Sequence, residues 1–181
     1  MVDPGWARLA SEERFASAWF TVWRDRARRP DGSVTDYDHV VAPAAVTVLA
    51  ADGAGLVAVT RQWIYVHRER QWRLPAGRVE SSENVDEAAR RELREETGIS
   101  AESWTALGVI NCADSLTNHR DHAFLATGLT GGTQRLDAGE ADLEVHWMPF
   151  ARVVDLVLGG EMPHAGSSFA VLAAKVKGLL E

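Results

Sequence analysis

The chain has 181 residues, 46% of them apolar, and a formal net charge of −7. That length holds one domain with room for a small appendage, and the apolar share suffices for a substantial core. The acidic balance excludes non-specific nucleic-acid binding, which needs a basic patch to neutralise phosphates. Cys112 is the lone cysteine, so a disulfide framework and a cysteine zinc site are excluded. The longest apolar run, residues 40–51, is interrupted by Pro43 and too short to span a bilayer. With an acidic start that lacks a leader pattern, the expectation is a cytoplasmic protein without a membrane partner.

In chain order, residues 1–14 are expected to be a loose lead-in. Residues 15–26 are rich in aromatic side chains, and residues 34–41 alternate with β-branched ones. Between them Arg29-Pro30-Asp31-Gly32-Ser33 is a turn signal, which predicts a β-hairpin. Residues 46–50 and 56–61 read as strands joined by Asp52-Gly53-Ala54-Gly55. Residues 72–74 lead into a turn at Pro75-Ala76-Gly77.

The helix that follows carries the chemistry. Glu92, Glu95 and Glu96 share roughly a third of one helix face at about 100° per residue. Like charges at spacings of three and four repel, and a hard cation with oxygen ligands, Mg²⁺ first, relieves them. Val85, Ala89 and Leu93 form the apolar stripe that docks on a core. Arg91 stands four residues before Glu95, where it can pair with that carboxylate. Ser82 is the expected N-cap, with Glu83, Asp86 and Glu87 near the positive end of the helix dipole. Gly98 ends the helix.

Residues 104–112 read as a strand, 113–121 as a polar loop and 122–127 as a strand again. Residues 136–143 form an acidic loop with Asp137, Gly139, Glu140 and Asp142, and 144–149 a strand. Residues 151–158 predict a short helix ended by Gly159-Gly160. Ser167 or Ser168 is expected to cap a last helix, with Phe169, Leu172, Val176 and Leu179 at core spacing. His119 and His122 stand at a close spacing, but they flank a polar loop and read as surface.

Gly77, five residues, Glu83, seven residues, Arg91-Glu92-Leu93, one residue, Glu95-Glu96, one residue and Gly98-Ile99 match the Nudix box at every specified position. From average residue usage, a chance match is on the order of one in ten million per chain of this length, and the chain is identified as resembling a Nudix hydrolase. The resemblance implies an α/β/α sandwich with a mixed sheet that cleaves nucleoside diphosphates linked to another group. It would occupy residues 43–181, preceded by an N-terminal β-hairpin element over residues 1–42. It implies Mg²⁺ (or Mn²⁺) as cofactor, held by Glu92 and Glu96, with the Ala76 carbonyl and Glu83 completing the shell. Glu95 and Arg91 would belong to the catalytic group, Glu95 either as a further ligand or as the partner of Arg91. Arg61 and Gly77 would meet the substrate.

Arg61-Gln62-Trp63 is similar to the Arg-Gln-aromatic sequence of ADP-ribose and nucleotide-sugar pyrophosphatases. That branch usually has another arginine where Ile64 stands, often a glutamate where Arg73 stands, and commonly a proline in the loop that here reads Ser115-Leu116-Thr117. It takes its general base from a loop glutamate well after the box. Glu140 is the candidate here, with Glu144, Asp142 or a base inside the box as alternatives. The branch also uses an N-terminal strand element to build an intertwined dimer, so a homodimer is expected. The substrate implied is ADP-ribose or a related nucleotide sugar. The alternatives are a nucleoside triphosphate or other nucleotide pyrophosphatase, and a non-catalytic Nudix-fold sensing module. Sensing modules usually lose box carboxylates, and all are present here.

Overall fold

The structure is a computed structural model that describes residues 5–181. The chain divides into two compact units, residues 1–43 with 111–120, and residues 44–110 with 121–181.

The first unit is an antiparallel sheet of β1 (Ala7–Ala16), β2 (Thr21–Arg28) and β3 (Val34–Val41), in that order. The hairpin of β2 and β3 turns at residues 29–33, where Gly32 takes a φ of 87° and Arg29 N–H donates to Ser33 O at 2.8 Å. The expected loose lead-in is corrected, because Ala7–Ala16 is a strand paired along β2. Two register shifts, at Arg8/Ala10 and Glu13/Phe15, break its side-chain alternation, and all ten residues are exposed. Ladder hydrogen bonds hold it, and burial leaves no period-two pattern to read. The aromatic run expected as one strand is split by a turn. The Ser17 hydroxyl accepts from the backbone N–H groups of Trp19 and Phe20, each at 3.1 Å.

The second unit is built on a mixed sheet. Its strands are β4 (Ala45–Ala51), β5 (Leu56–Ile64), β6 (Glu69–Arg73), β7 (Ala76–Arg78), β8 (Ser100–Asn111), β9 (Arg120–Thr130) and β10 (Glu144–Pro149). The order is β10-β5-β4-β9-β8, with β6 on β5 and β7 on β4. The β4–β9 pair is parallel, and β5 is antiparallel to β4, β6 and β10. The two faces of β4 separate two cores. Val46, Val48 and Ala50 pack with Ala89 and Leu93 of helix α1 (Val85–Thr97). Leu49 and Ala51 pack with Phe150, Val153 and Leu156 of α2 (Phe150–Leu158) and Val171 of α3 (Ala165–Val176). Each fully buried Leu, Val or Phe stabilises by about 1.5–3 kcal/mol. A sheet buried on both faces between helices is an α/β/α sandwich.

Two helix starts differ from expectation. The N-cap of α1 is Asn84, not Ser82. Its side chain accepts from Asp86 and Glu87 N–H at 3.0 Å each, and the Glu87 carboxylate accepts from Asn84 N–H at 2.9 Å. This reciprocal capping box is worth about 1 kcal/mol. Residues before it are already committed to a turn, in which the Glu83 carboxylate accepts from Glu80 N–H. Gly98 ends α1 in the left-handed region with φ of 74°. Helix α3 is capped by His164 rather than Ser167 or Ser168. Its buried face is Gly166, Ala170, Val171 and Ala174, while Val176 is 86% exposed and Leu172 and Leu179 are also exposed. Small residues spaced by four let the helix approach the sheet. A Cβ on Gly166 would overlap the Asp121 carboxylate and Thr47 hydroxyl.

Candidate metal centre

Helix α1 turns its apolar side to the sheet and its acidic side to the start of β7. Glu92 and Glu96, one turn apart, are only 7% and 3% exposed. Ala76 N–H donates to Glu96 Oε2 at 3.3 Å. A Cβ on Gly77 would overlap the Glu92 carboxylate, so the close approach of strand and helix requires glycine there. Ala76 and Gly77 thus stand against the two buried acids.

Arg91 organises the remaining acids. It donates from Nη2 and Nε to Glu83 at 2.6 and 3.1 Å, and from Nη1 to Glu92 at 2.7 Å and Glu95 at 3.0 Å. Nη2 also donates to the Arg78 carbonyl at 2.8 Å. The pairing with Glu95 that helix spacing implies is therefore one of three carboxylate contacts. The hydrogen bonds from Arg91 hold Glu83 below the ordinary carboxylate range. Among the described residues, no group of three or more His, Cys, Asp or Glu side chains is drawn together as a metal cluster. The acids converge on a guanidinium instead.

Arg91 reaches Glu92 but not Glu96, and both carboxyls resist ionisation. Burial pushes the Glu92 carboxyl up, against its bonds to Arg91 and with the charges of Glu140 and Glu95. Burial, then Glu92, then Glu140 push Glu96 well above its ordinary value, against Arg73 and the Ala76 amide. Two buried carboxylates with a third acid in their field, and one long amide contact, offer oxygen donors of the kind that a hard divalent cation takes.

This has a consequence for stability in chelator. Because the folded pKa of Glu96 is raised, the folded chain binds its proton before the unfolded chain does. Stability therefore falls as pH rises from the ordinary value of 4.5 toward the raised value. The lowered groups, Asp25, Asp31, Asp38 and Glu83, act in the opposite sense, and only at lower pH. Thermal melts in chelator are expected to show a higher Tm at pH 5.5 than at pH 7.5, with a smaller difference in Glu96→Gln. An equal difference in both proteins would contradict this.

Glu140 lies in a one-turn 3₁₀ helix, Ala138–Glu140, and accepts from Asp137 N–H at 3.3 Å. The segment leading to it is tied to the end of α1. Gln134 Nε2 donates to Glu96 O at 2.6 Å, and Arg135 N–H donates to Glu95 O at 2.9 Å. The other two loop acids are held elsewhere. Asp142 accepts from Trp63 N–H and pairs with Arg70, and Glu144 pairs with Arg70 and His146. Arg61 stacks over Trp72, 5.0 Å from its ring centre, with its Nε buried and without a hydrogen-bond partner.

Several residues near these groups were not picked out in the sequence. Asp121 is buried and accepts from the Thr47 hydroxyl; in sequence it is one polar residue at the end of a polar loop. Gln134 and Arg135 bond α1 through groups that no local pattern marks. Arg73, in sequence only a departure from a family pattern, sits in the field of Glu96 and Asp121.

A mixed sheet between helices, with paired buried carboxylates on one helix facing a glycine turn, is an arrangement that fits a hydrolase of phosphate anhydrides. Comparison with known proteins agrees. Residues 39–168 match the family model described as NUDIX domain, and residues 6–40 match one described as nucleoside diphosphate sugar hydrolase N-terminal domain. The chain belongs to the Nudix family and is an enzyme acting on pyrophosphate bonds. Members of the family generally need a divalent cation. The ADP-ribose pyrophosphatase of Mycobacterium tuberculosis (strain ATCC 25618 / H37Rv) is 31% identical over 175 residues, which cover 96% of this chain and 84% of that one. The ADP-ribose pyrophosphatase of Bacillus subtilis (strain 168) is 25% identical over 174 residues, covering 96% and 94%. A crystal structure of an ADP compounds hydrolase superposes with a TM-score of 0.84 at 23% identity, covering 97% of this chain and 96% of that one. Among the described residues, no helix is long and apolar enough to cross a membrane.

Proposed function

We propose that the protein hydrolyses the pyrophosphate bond of ADP-ribose or a related nucleotide sugar, giving a nucleoside monophosphate and a sugar phosphate. The observation that carries this is the buried pair Glu92 and Glu96, set against Ala76 and Gly77 and lying in the field of Glu140. The two relatives named ADP-ribose pyrophosphatase support the substrate class.

In this reading Glu92 and Glu96, with the Ala76 carbonyl and Glu83, hold Mg²⁺ or Mn²⁺. When bound, the cation polarises phosphoryl oxygens and acidifies a water. The chain's own groups do the rest. A water oxygen attacks one phosphorus, the anhydride P–O bond breaks, and the bridging oxygen leaves with the other phosphate. Glu140 takes the proton of the attacking water. Arg91 fixes the rotamers of Glu83, Glu92 and Glu95, so that the acids cost no reorganisation during the step. Gly77 leaves room for the Glu92 carboxylate, and Arg61 faces a phosphate or the base. A panel of nucleotide sugars, dinucleotides and nucleoside triphosphates, assayed with each metal, tests this. ADP-ribose or another nucleotide sugar is expected to have the highest kcat/KM, and a nucleoside triphosphate in that place would contradict it.

The proposal includes a homodimer in the cytoplasm. The first unit exposes Trp6, Phe15 and Trp19 at 53%, 53% and 67%, and apolar surface of this kind supports an interface. The single cysteine suits a reducing compartment. Light scattering is expected to give twice the chain mass at micromolar concentration, and a stable monomer would refute the dimer.

A further inference from the structure

Strand β6 presents Glu69, Gln71 and Arg73 on one face, at the period of two that a strand imposes. These three line a cavity of 470 Å³ with Ile64, His67 and His164. The size lies within the range of about 300–1,000 Å³ common to small-molecule sites. The lining is the kind that a hydroxyl-rich group wants. Gln71 donates to Glu69 at 2.8 Å, which leaves acceptor capacity on both side chains and a second N–H donor on Gln71.

Arg73 is a charged lining residue of this cavity. Its Nε is buried and finds no hydrogen-bond partner. Burial works against its charge, and Glu96 and Asp121 are the carboxylates whose fields support it. A guanidinium held in that position is completed by an anion with paired oxygens. Arg73, Glu69, Gln71 and His67 line the same cavity, so an anion held by Arg73 has the Glu69, Gln71 and His67 side chains beside it.

We propose that Arg73 is a specificity-determining residue that grips the phosphate of the sugar-phosphate half of the substrate, with the sugar in the 470 Å³ cavity of Glu69, Gln71, His67 and His164. This deepens the functional reading above and rests on it. The nucleoside half lies outside this cavity, so binding of the two products separates under mutation.

The test is titration calorimetry with ribose 5-phosphate and with AMP, in chelator, on the wild type, R73Q and R73K. The wild type is expected to bind ribose 5-phosphate. R73Q is expected to weaken it about 10- to 100-fold while AMP stays within about threefold. R73K keeps the charge and loses the fork, so it is expected to fall between the two, and it carries the reading if R73Q does not fold. In turnover of whichever nucleotide sugar the wild type cleaves, R73Q is expected to raise KM about 10- to 100-fold with kcat within about threefold. Wild type that does not bind ribose 5-phosphate, variants that bind it like wild type, or equal losses for ribose 5-phosphate and AMP each overturn the proposal. A wild type that cleaves no nucleotide sugar overturns the functional reading instead, and the binding arm still decides the assignment of Arg73.

Discussion

Glu96→Gln is expected to lower kcat at least about 100-fold while the fold stays intact. The side chain is 3% exposed, and burial and the neighbouring charges of Glu92 and Glu140 disfavour its ionised form. Gln has the same shape, its oxygen can still accept from Ala76 N–H, and it removes a charge that the folded state disfavours. The metal-free variant at neutral pH is therefore expected to melt at or above the wild-type temperature. The cost falls on metal binding. A ligand at 100 times its Kd stabilises by about 2.7 kcal/mol, and Mn²⁺ is expected to raise the Tm of the wild type but not of Glu96→Gln. A loss in kcat below threefold, or an undiminished Mn²⁺ shift, would mean that Glu96 is not a ligand.

The second large effect is expected at Glu140. Glu140→Gln removes a proton acceptor and leaves Glu92 and Glu96 in place, so kcat should fall about 10²–10⁴-fold with KM within a few-fold. Mn²⁺ binding should persist, which separates this variant from Glu96→Gln. Asp142→Asn and Glu144→Gln should keep most activity, because Arg70 already engages both acids. If Glu140→Gln is near wild type and either of the others is dead, the loop is right and the residue is wrong. If all three are active, the base lies within residues 83–96.

The helix chemistry was legible because it is local. Spacing alone put Glu92 and Glu96 one turn apart, set Leu93 and Ala89 toward the core, paired Arg91 with Glu95, and stopped the helix at Gly98. What Arg91 does beyond that pair was not legible, since Glu83 reaches it through a turn whose geometry depends on the Asn84 cap. The first strand was missed because bulges and complete exposure erase periodicity. The inward face of α3 was misread because Leu172 and Val176 are the more hydrophobic residues, yet close approach to Thr47 and Asp121 selects glycine and alanine. Arg73 lies in the fields of both Asp121 and Glu96, and these residues come from β6, β9 and α1, elements far apart in sequence whose placement is a matter of topology.

The most direct test is an assay of ADP-ribose and related nucleotide sugars with product identification, run in excess chelator and after restoring Mg²⁺ or Mn²⁺. No turnover in chelator is expected, and restored metal should yield nucleoside monophosphate and sugar phosphate in equal amounts. Hydrolysis at full rate in chelator would contradict the role given to Glu92 and Glu96.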